Sequence, residues 1–202
     1  VQGLYDAQRS GAPVLALASH IPTSQIGTGY FQETRPEWMF MDASVWCQTL
    51  TGAEQMPRLL RVAIQEALGR RGVSVLVVPG DVADLETAHP TGASTLCVEV
   101  GRVAPPAGAV RQLADAIDAA GNVALFCGAG VRDAHAEVMA LADAVKAPVG
   151  HTLRGKEWIQ YDNPYDVGMS GLLGYGACYD ATNEAELLVL LGTDFPYENF
   201  LP

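Results

Sequence analysis

Short apolar runs rich in valine and leucine recur along the chain, and each leads into a glycine-containing turn. Three such runs lie at residues 73–78, 122–127 and 186–191. Continuous apolar runs of this length are typical of strands that are buried on both faces, as they are in a parallel sheet. The pattern therefore predicts an α/β fold built on parallel sheets, with the glycine turns at the carboxyl ends of the strands.

Amphipathic segments and weaker apolar runs supply the remaining predicted elements. A strand is predicted at residues 13–19 and a short strand at residues 147–153. Helical spacing of apolar positions predicts helices at residues 53–71, 109–120 and 134–145. The second half of the chain therefore has the element order of a βαβ unit.

The periodic pattern is interrupted between residues 84 and 106, where Pro105 and Pro106 stand side by side. Adjacent prolines between periodic segments indicate a linker or a domain seam. We therefore predict two Rossmann-like, doubly wound parallel-sheet units, residues 1–101 and 102–202. Because the chain starts within an amphipathic pattern, without methionine, we expect a piece of a longer polypeptide whose first unit is incomplete at its N-terminus.

Composition narrows the classes of partner. The 202 residues are 49% hydrophobic and 17% charged, which supports a well-buried core. A net charge of −11, with 12 lysines and arginines, argues against nucleic acid or an anionic membrane as a partner of this segment. No apolar run reaches the roughly 20 residues needed to span a bilayer, so a cytoplasmic location is expected. The four cysteines show no metal-site spacing and are expected to be structural thiols.

Ligands of open parallel sheets bind beyond the carboxyl ends of the strands, so the turns there are the first candidates for a site. The polar, glycine-punctuated segment 161–174 is predicted to be a ligand-binding loop, together with the turn after residue 191. Gly128 and Gly130 form a GxG turn that lacks the third glycine of the dinucleotide fingerprint. This turn is either a tight strand-to-helix connection or a nucleotide contact.

Other candidate residues each leave two interpretations open. Arg154 and Lys156 form either a solvated loop or an anion site. Phe31 and Gln32, at the end of a glycine-rich loop, either present an aromatic wall and an amide to a substrate or, for Phe31, fill the core. His20 is either catalytic or a turn residue. The sequence contains no nucleophile elbow, P-loop or HExxH motif.

Several long segments together resemble one family. ASHIPTSQIGTGYFQET, VSVLVVPGDV, FCGAGV, RGKEWIQYDNPYDVGMSGLLG and LLGTDFPY, in this order and spacing, resemble the pyruvate oxidase and pyruvate dehydrogenase (quinone) group of thiamine-diphosphate enzymes. The resemblance implies that residues 1–101 are the C-terminal part of a pyrimidine-binding domain. Residues 102–202 would be a central FAD-binding domain that is incomplete at its C-terminus.

The resemblance also implies a reaction and its cofactors. The parent enzyme would oxidatively decarboxylate pyruvate to acetate or acetyl phosphate with thiamine diphosphate, Mg²⁺ and FAD, passing electrons to a quinone or O₂. The glutamate that activates thiamine and the Mg²⁺ ligands would lie outside this segment, so the segment alone is expected to be inactive. A homo-oligomer, a dimer or tetramer, is implied as well, and peripheral membrane contact through a missing C-terminal tail is left open.

Site residues follow from the same resemblance. Phe31 would line the route between the two cofactors, and Gln32 would orient the substrate. The implied FAD contacts are Ser170, Gly171, Leu172, Leu173, Thr193, Asp194, Phe195, Pro196 and Tyr197, with Gly128, Gly130, Thr152 and Leu153 as weaker candidates.

Two other functions compete with this interpretation. The nearer one is a carboligase similar to acetohydroxyacid synthase, in which FAD is bound but takes no part in the redox chemistry. The other is a non-catalytic nucleotide-binding module, because a Rossmann-like fold does not fix a function. Assays with a quinone and with a second oxo acid separate the oxidase from the carboligase.

Overall fold

The computed structural model describes residues 1–86, 101, 103–174 and 176–194, and the chain divides into two compact units, Val1–Val103 and Ala104–Pro202. Each unit contains a parallel sheet with helices packed on it. The assignment of the two units to a pyrimidine-binding and an FAD-binding domain stays a prediction.

The described part of the first unit contains a three-stranded parallel sheet in the order β1-β3-β2. Its elements are α1 (Gln2–Arg9), β1 (Val14–His20), α2 (Pro36–Phe40), β2 (Trp46–Thr49), α3 (Met56–Gly69), β3 (Val73–Pro79) and α4 (Gly80–Ala83). Strand β3 lies in the centre, and its pairing with β1 runs from Val14 opposite Val73 to His20 opposite Pro79.

Both faces of β3 are buried because this strand is apolar at successive positions. Val75 and Val77 lie on one face, in a cluster with Phe40 of α2 and side chains of α1. Leu76 lies on the other face, in a cluster that includes Leu50 and side chains of α3. Burial of each such side chain contributes about 1.5–3 kcal/mol.

The described part of the second unit contains a four-stranded parallel sheet in the order β6-β5-β4-β7. Its elements are α5 (Ala107–Ala119), β4 (Val123–Cys127), α6 (His135–Val145), β5 (Val149–His151), α7 (Lys156–Ile159), β6 (Asp166–Met169), α8 (Gly176–Glu184) and β7 (Leu187–Leu191). The chain leaves β4 towards β5 and β6 and then returns to place β7 on the opposite side of β4.

Strand β4 is fully buried and separates two apolar clusters. Leu125 lies in the larger cluster, with Val138 and Ala142 of α6. Phe126 lies in the smaller cluster, with Cys178 of α8. Helices therefore cover both faces of each sheet, and the predicted α/β class with two doubly wound parallel-sheet units is confirmed.

The helices are short, and α3, with 14 residues, is the longest of those described. Within the described ranges, no helix combines the length and the apolar character that crossing a membrane requires. Helix α5 is the least covered, because Val110 and Leu113 are exposed while Ile117 packs against the core of the second unit.

Several elements were not predicted from the pattern. Strand β6 lies inside the segment that the sequence predicts to be a loop, and no counterpart was predicted for β2, α2, α4, α7 or α8. Strand β6 has only four residues, of which Asp166 and Gly168 are weak strand formers, and Gly168 has a φ of 87°. It is recognisable as a strand only through its pairing with β5.

The described cysteines are free thiols. Cys127 and Cys178 are buried and Cys47 is half-buried, and burial raises the pKa of Cys127 to about 12 and that of Cys178 to about 11. Their thiols therefore stay protonated at neutral pH. Cys97 lies outside the described residues.

Gly150→Ala should destabilise the second unit, because the new Cβ would collide with Cys178 Sγ and lie 3.1 Å from Phe126 Cδ2. Overpacking of this kind costs about 1–3 kcal/mol of unfolding free energy, which urea denaturation measures. Gly108→Ala, in the first turn of α5 with open space around its Cβ, is the matched control and should not lower stability.

A Cys178→Ala background should reduce the cost of Gly150→Ala, because the collision partner is then absent. Equal stability of Gly150→Ala and Gly108→Ala would contradict the packing of α8 on β5.

Candidate functional site

The strands of the second unit end at one level. Cys127 of β4 pairs with His151 of β5 and with Leu191 of β7, and His151 in turn pairs with Met169 of β6. The loops that follow these four strands therefore begin side by side at one edge of the sheet, which we call the carboxyl edge. Ligands of parallel α/β folds bind at this edge.

The loops after β4 and β7 are in direct backbone contact. The Gly128 N–H donates to the Leu191 carbonyl and the Gly130 N–H to the Gly192 carbonyl, each at 2.9 Å. A Cβ added at Gly130 would lie 2.6 Å from Gly192 Cα. These contacts support the interpretation of the GxG turn as a tight strand-to-helix connection, because the close approach to Gly192 leaves no room for a side chain at position 130. A cofactor contact by Gly128 and Gly130 stays a prediction.

The loop after β5 is held by Thr152. Its N–H donates to the Cys127 carbonyl at 2.9 Å, and its hydroxyl oxygen accepts the Gly155 N–H at 3.0 Å. A Cβ at Gly155 would collide with the same Cys127 carbonyl, so this loop lies tightly over the end of β4. Leu153 points away from the fold and is exposed. Thr152 and Leu153 therefore lie at the carboxyl edge. Their contact with a cofactor stays a prediction.

The loop after β6 presents an apolar surface. Ser170 is buried and Gly171 has a φ of 117°, which reverses the chain. The Gly174 N–H closes the turn on the Gly171 carbonyl at 2.9 Å. Leu172 and Leu173 are consequently 80% and 67% exposed. Two adjacent leucines therefore lie exposed on a short turn at the carboxyl edge, and the FAD contact of Ser170, Gly171, Leu172 and Leu173 stays a prediction.

A buried polar pair under the carboxyl edge was missed by the sequence reasoning. His151 is fully buried, with Nδ1 3.1 Å from the Thr152 carbonyl oxygen and Nε2 3.5 Å from Asp166 Oδ1. The Asp166 carboxylate also accepts the Gly168 N–H at 3.1 Å. The contact links the last residue of β5 to the first residue of β6. The available signal was a histidine at the end of a short predicted strand.

The last predicted contacts follow β7. Thr193 is half-buried and Asp194 is exposed, and both lie at the carboxyl edge. Phe195, Pro196 and Tyr197 lie outside the described residues. Arg154 and Lys156 are exposed. Across the described ranges, no group of three or more histidine, cysteine or carboxylate side chains is placed to hold a metal ion.

In the first unit, the glycine-rich loop begins at the end of β1 and is tied to the end of β3. The Thr23 N–H and hydroxyl donate to the Asp81 carboxylate at 2.9 and 2.5 Å. The hydroxyl bond, followed by the N–H bond, lowers the pKa of Asp81. His20 and Pro79 pair across the strand ends, so the loop lies at the carboxyl edge of the first sheet.

The far end of this loop carries Phe31 and Gln32. The Phe31 side chain is 81% exposed, so it is not a core residue of this chain. Gln32 is also exposed and has a φ of 63°, in the left-handed region that few non-glycine residues adopt. Such conformations recur at functional sites. The roles of Phe31 and Gln32 stay predictions.

The structure therefore places the chain in the class of parallel α/β proteins. In this class, ligands bind at the carboxyl edge of the sheet. Residues 110–201 match the family "Thiamine pyrophosphate enzyme, central domain".

Relatives extend the similarity to the whole chain. An uncharacterized 42.6 kDa protein of Pseudomonas amyloderamosa is 46% identical over 100% of this chain and 51% of its own length. The "Putative thiamine pyrophosphate-containing protein YdaP" of Bacillus subtilis is 36% identical over 100% of this chain and 35% of its own length. The chain thus spans about half of the first relative and about a third of the second.

Proteins with named activities match more weakly. A pyruvate oxidase of Lactiplantibacillus plantarum is 26% identical over 98% of this chain and 33% of its own length. Acetolactate synthases of several organisms are 27% to 31% identical over 96% of this chain. The chain is thus similar to enzymes of two different named activities.

Gly130→Ala should separate the loops after β4 and β7, because the new Cβ would meet backbone atoms of Gly192. The unfolding free energy is expected to fall by about 1–3 kcal/mol. Amide exchange at Gly128 should accelerate at least about tenfold, which corresponds to 1.4 kcal/mol. Gly176→Ala is the control, because its nearest neighbour is Asp180 Oδ2 at 3.9 Å. Unchanged exchange in Gly130→Ala would contradict the described contact.

Proposed function

We propose that the chain is a segment of an enzyme that oxidatively decarboxylates pyruvate to acetate or acetyl phosphate and CO₂, with thiamine diphosphate, Mg²⁺ and FAD. The observation that carries the proposal is the turn after β6, which presents Leu172 and Leu173 at the carboxyl edge of a unit related to thiamine-pyrophosphate enzymes. The similarity to a pyruvate oxidase supports the choice of reaction. Electrons would pass to a quinone or to O₂.

The two units would have separate roles. The first, as the C-terminal part of a pyrimidine-binding domain, would contribute Phe31 and Gln32, and the second would be the central FAD-binding domain. The Mg²⁺ ligands and the activating glutamate would be supplied by residues beyond this segment. A cytoplasmic homo-oligomer with peripheral membrane contact belongs to the same proposal.

When bound, thiamine diphosphate would stabilise the negative charge left by decarboxylation, and FAD would accept the two electrons. The chain's own residues would bind the flavin, orient the substrate and exclude water from the reacting centre. Leu172 and Leu173 would cover one face of the flavin, and Gly171 would let the backbone approach it. The exposed ring of Phe31 would shield the reacting centre from water, and the Gln32 amide would donate a hydrogen bond to an oxygen of pyruvate.

The residues present fit FAD at one loop better than at another. The turn after β6 has exposed apolar side chains and open space around Gly171. The N–H groups of Gly128 and Gly130, by contrast, already donate to carbonyls of the loop after β7. A phosphate group of FAD would therefore be bound by groups other than these two N–H donors.

A carboligase that binds FAD without using its redox chemistry is the second candidate. The observation in its favour is the similarity to acetolactate synthases, which is of the same order as the similarity to the pyruvate oxidase. In this case the second substrate would be another 2-oxo acid in place of an electron acceptor. The turn after β6 would bind the cofactor in the same way.

The full-length polypeptide that contains this chain should show a flavin absorbance band after desalting. The band should bleach under anaerobic conditions when pyruvate is added with thiamine diphosphate and Mg²⁺, because electrons then have no other acceptor. A band that persists while a second oxo acid is consumed would favour the carboligase. Absence of any flavin band would rule out both FAD-dependent candidates and leave the non-catalytic nucleotide-binding module as the remaining interpretation.

Gly171→Ala in the same polypeptide should weaken FAD binding about tenfold, the equivalent of 1.4 kcal/mol, with turnover falling in proportion to flavin content. Gly168→Ala is the matched control: both glycines have positive φ and open space around the Cβ, but only Gly171 is a predicted FAD contact. The backbone strain is therefore similar in the two variants. Equal flavin content in both would count against the assignment of this turn.

A further inference from the structure

The glycine-rich loop of the first unit folds around the carboxylate of Glu33. Oε1 accepts the Gly27 N–H at 2.6 Å and Oε2 accepts the Gly29 N–H at 2.7 Å, so each oxygen binds a different donor. Hydrogen bonds to an ionised acceptor are shorter and stronger than those between neutral groups. The side chain thereby joins the two ends of the segment that contains Phe31 and Gln32.

Gly27 and Gly29 are favoured by their backbone conformation and not by crowding, since a Cβ would have open space at both positions. Their φ angles are 87° and 75°, in the region that glycine adopts without strain, and no other atom lies within 4 Å of a Cβ built at either. This conformation turns both N–H groups towards the same point. The sequence IGTGYFQE thus encodes donors and acceptor together.

The pKa of Glu33 is lowered, first by the hydrogen bond from Gly27 and further by those from Gly29 and Tyr30 and by the proximity of His20, with desolvation opposing the shift. The folded loop therefore favours the charged carboxylate. This contribution to loop stability is complete above the ordinary value of 4.5 and is lost as the pH falls through the lower folded value.

We propose that Glu33 is the positioning residue that holds Phe31 in its exposed position and Gln32 in its left-handed conformation. Phe31 makes little contact of its own, since most of its surface is exposed. The Glu33 N–H closes the turn on the Tyr30 carbonyl at 2.9 Å, and its carboxylate closes the preceding turn. The proposal deepens the proposed function and rests on it, because it assigns Glu33 to the same reaction without contact to pyruvate.

The first test is independent of activity. In the 202-residue chain, Glu33→Gln should accelerate amide exchange at Gly27 and Gly29 at least tenfold, measured by NMR, because the charged acceptor is replaced by a neutral amide. Glu37→Gln is the matched control: this nearby carboxylate accepts the Thr49 hydroxyl at 2.8 Å and should leave both glycine amides unchanged. Unchanged exchange in Glu33→Gln would overturn the proposal.

The second test uses the full-length polypeptide. Glu33→Gln should lower kcat at least tenfold while flavin content and Tm stay within the range of Glu37→Gln, because the loop is misplaced but the fold is intact. Glu33→Asp, which keeps the charge on a shorter side chain, should restore part of kcat. A merely structural role would lower Tm and flavin content together with kcat, and that result would overturn the proposal.

The two measurements separate the failure of the proposal from the failure of the proposed function. Faster glycine exchange with an unchanged kcat would overturn the positioning role, although the loop contact exists. If wild type shows no reaction with pyruvate, the proposed function fails. The exchange rates then decide alone whether Glu33 holds this loop.

Discussion

The in-register pairing of β4 with β5 and β7 fixes the level at which the loops of the second unit begin. Cys127, His151 and Leu191 lie side by side as the last residues of their strands. A shift of one residue in any pair would move that strand's buried side chains to the wrong face, so the apolar clusters on both faces maintain the register. The candidate site depends on this constraint more than on any single contact within it.

Two different physical purposes of glycine recur at the candidate sites. At Gly128, Gly130 and Gly155 an added Cβ would overlap backbone atoms of a neighbouring loop, so these positions permit close packing. At Gly27 and Gly171 there is open space and a positive φ, so these positions set the direction of a turn. The second kind accompanies the exposed side chains of the candidate sites, whereas the first kind holds the loops that carry them.

The elements that could be predicted from the sequence are those in which consecutive apolar residues indicate a buried strand. Strands β4 and β7 are apolar throughout and β3 is apolar except at Ser74, so all three were recognisable without their partners. Strand β6 was not recognisable in this way, because Asp166 and Gly168 are weak strand formers that adopt strand structure through hydrogen bonding to β5. In our proposal, the position of Phe31 depends on a carboxylate two residues later. The close packing at Gly130 depends on Gly192, 62 residues later in the chain, and no local sequence pattern contains such a contact.

The contact between Gly130 and Gly192 has a consequence for how this fold can vary. Two turns that share hydrogen bonds and touch through bare backbone cannot change length independently, since an inserted residue in one would displace the donor or acceptor of the other. The turn after β6 has no such counterpart in the described contacts. Insertions and deletions among homologous chains are therefore expected to accumulate there, where new ligand preferences could arise without disturbing the sheet.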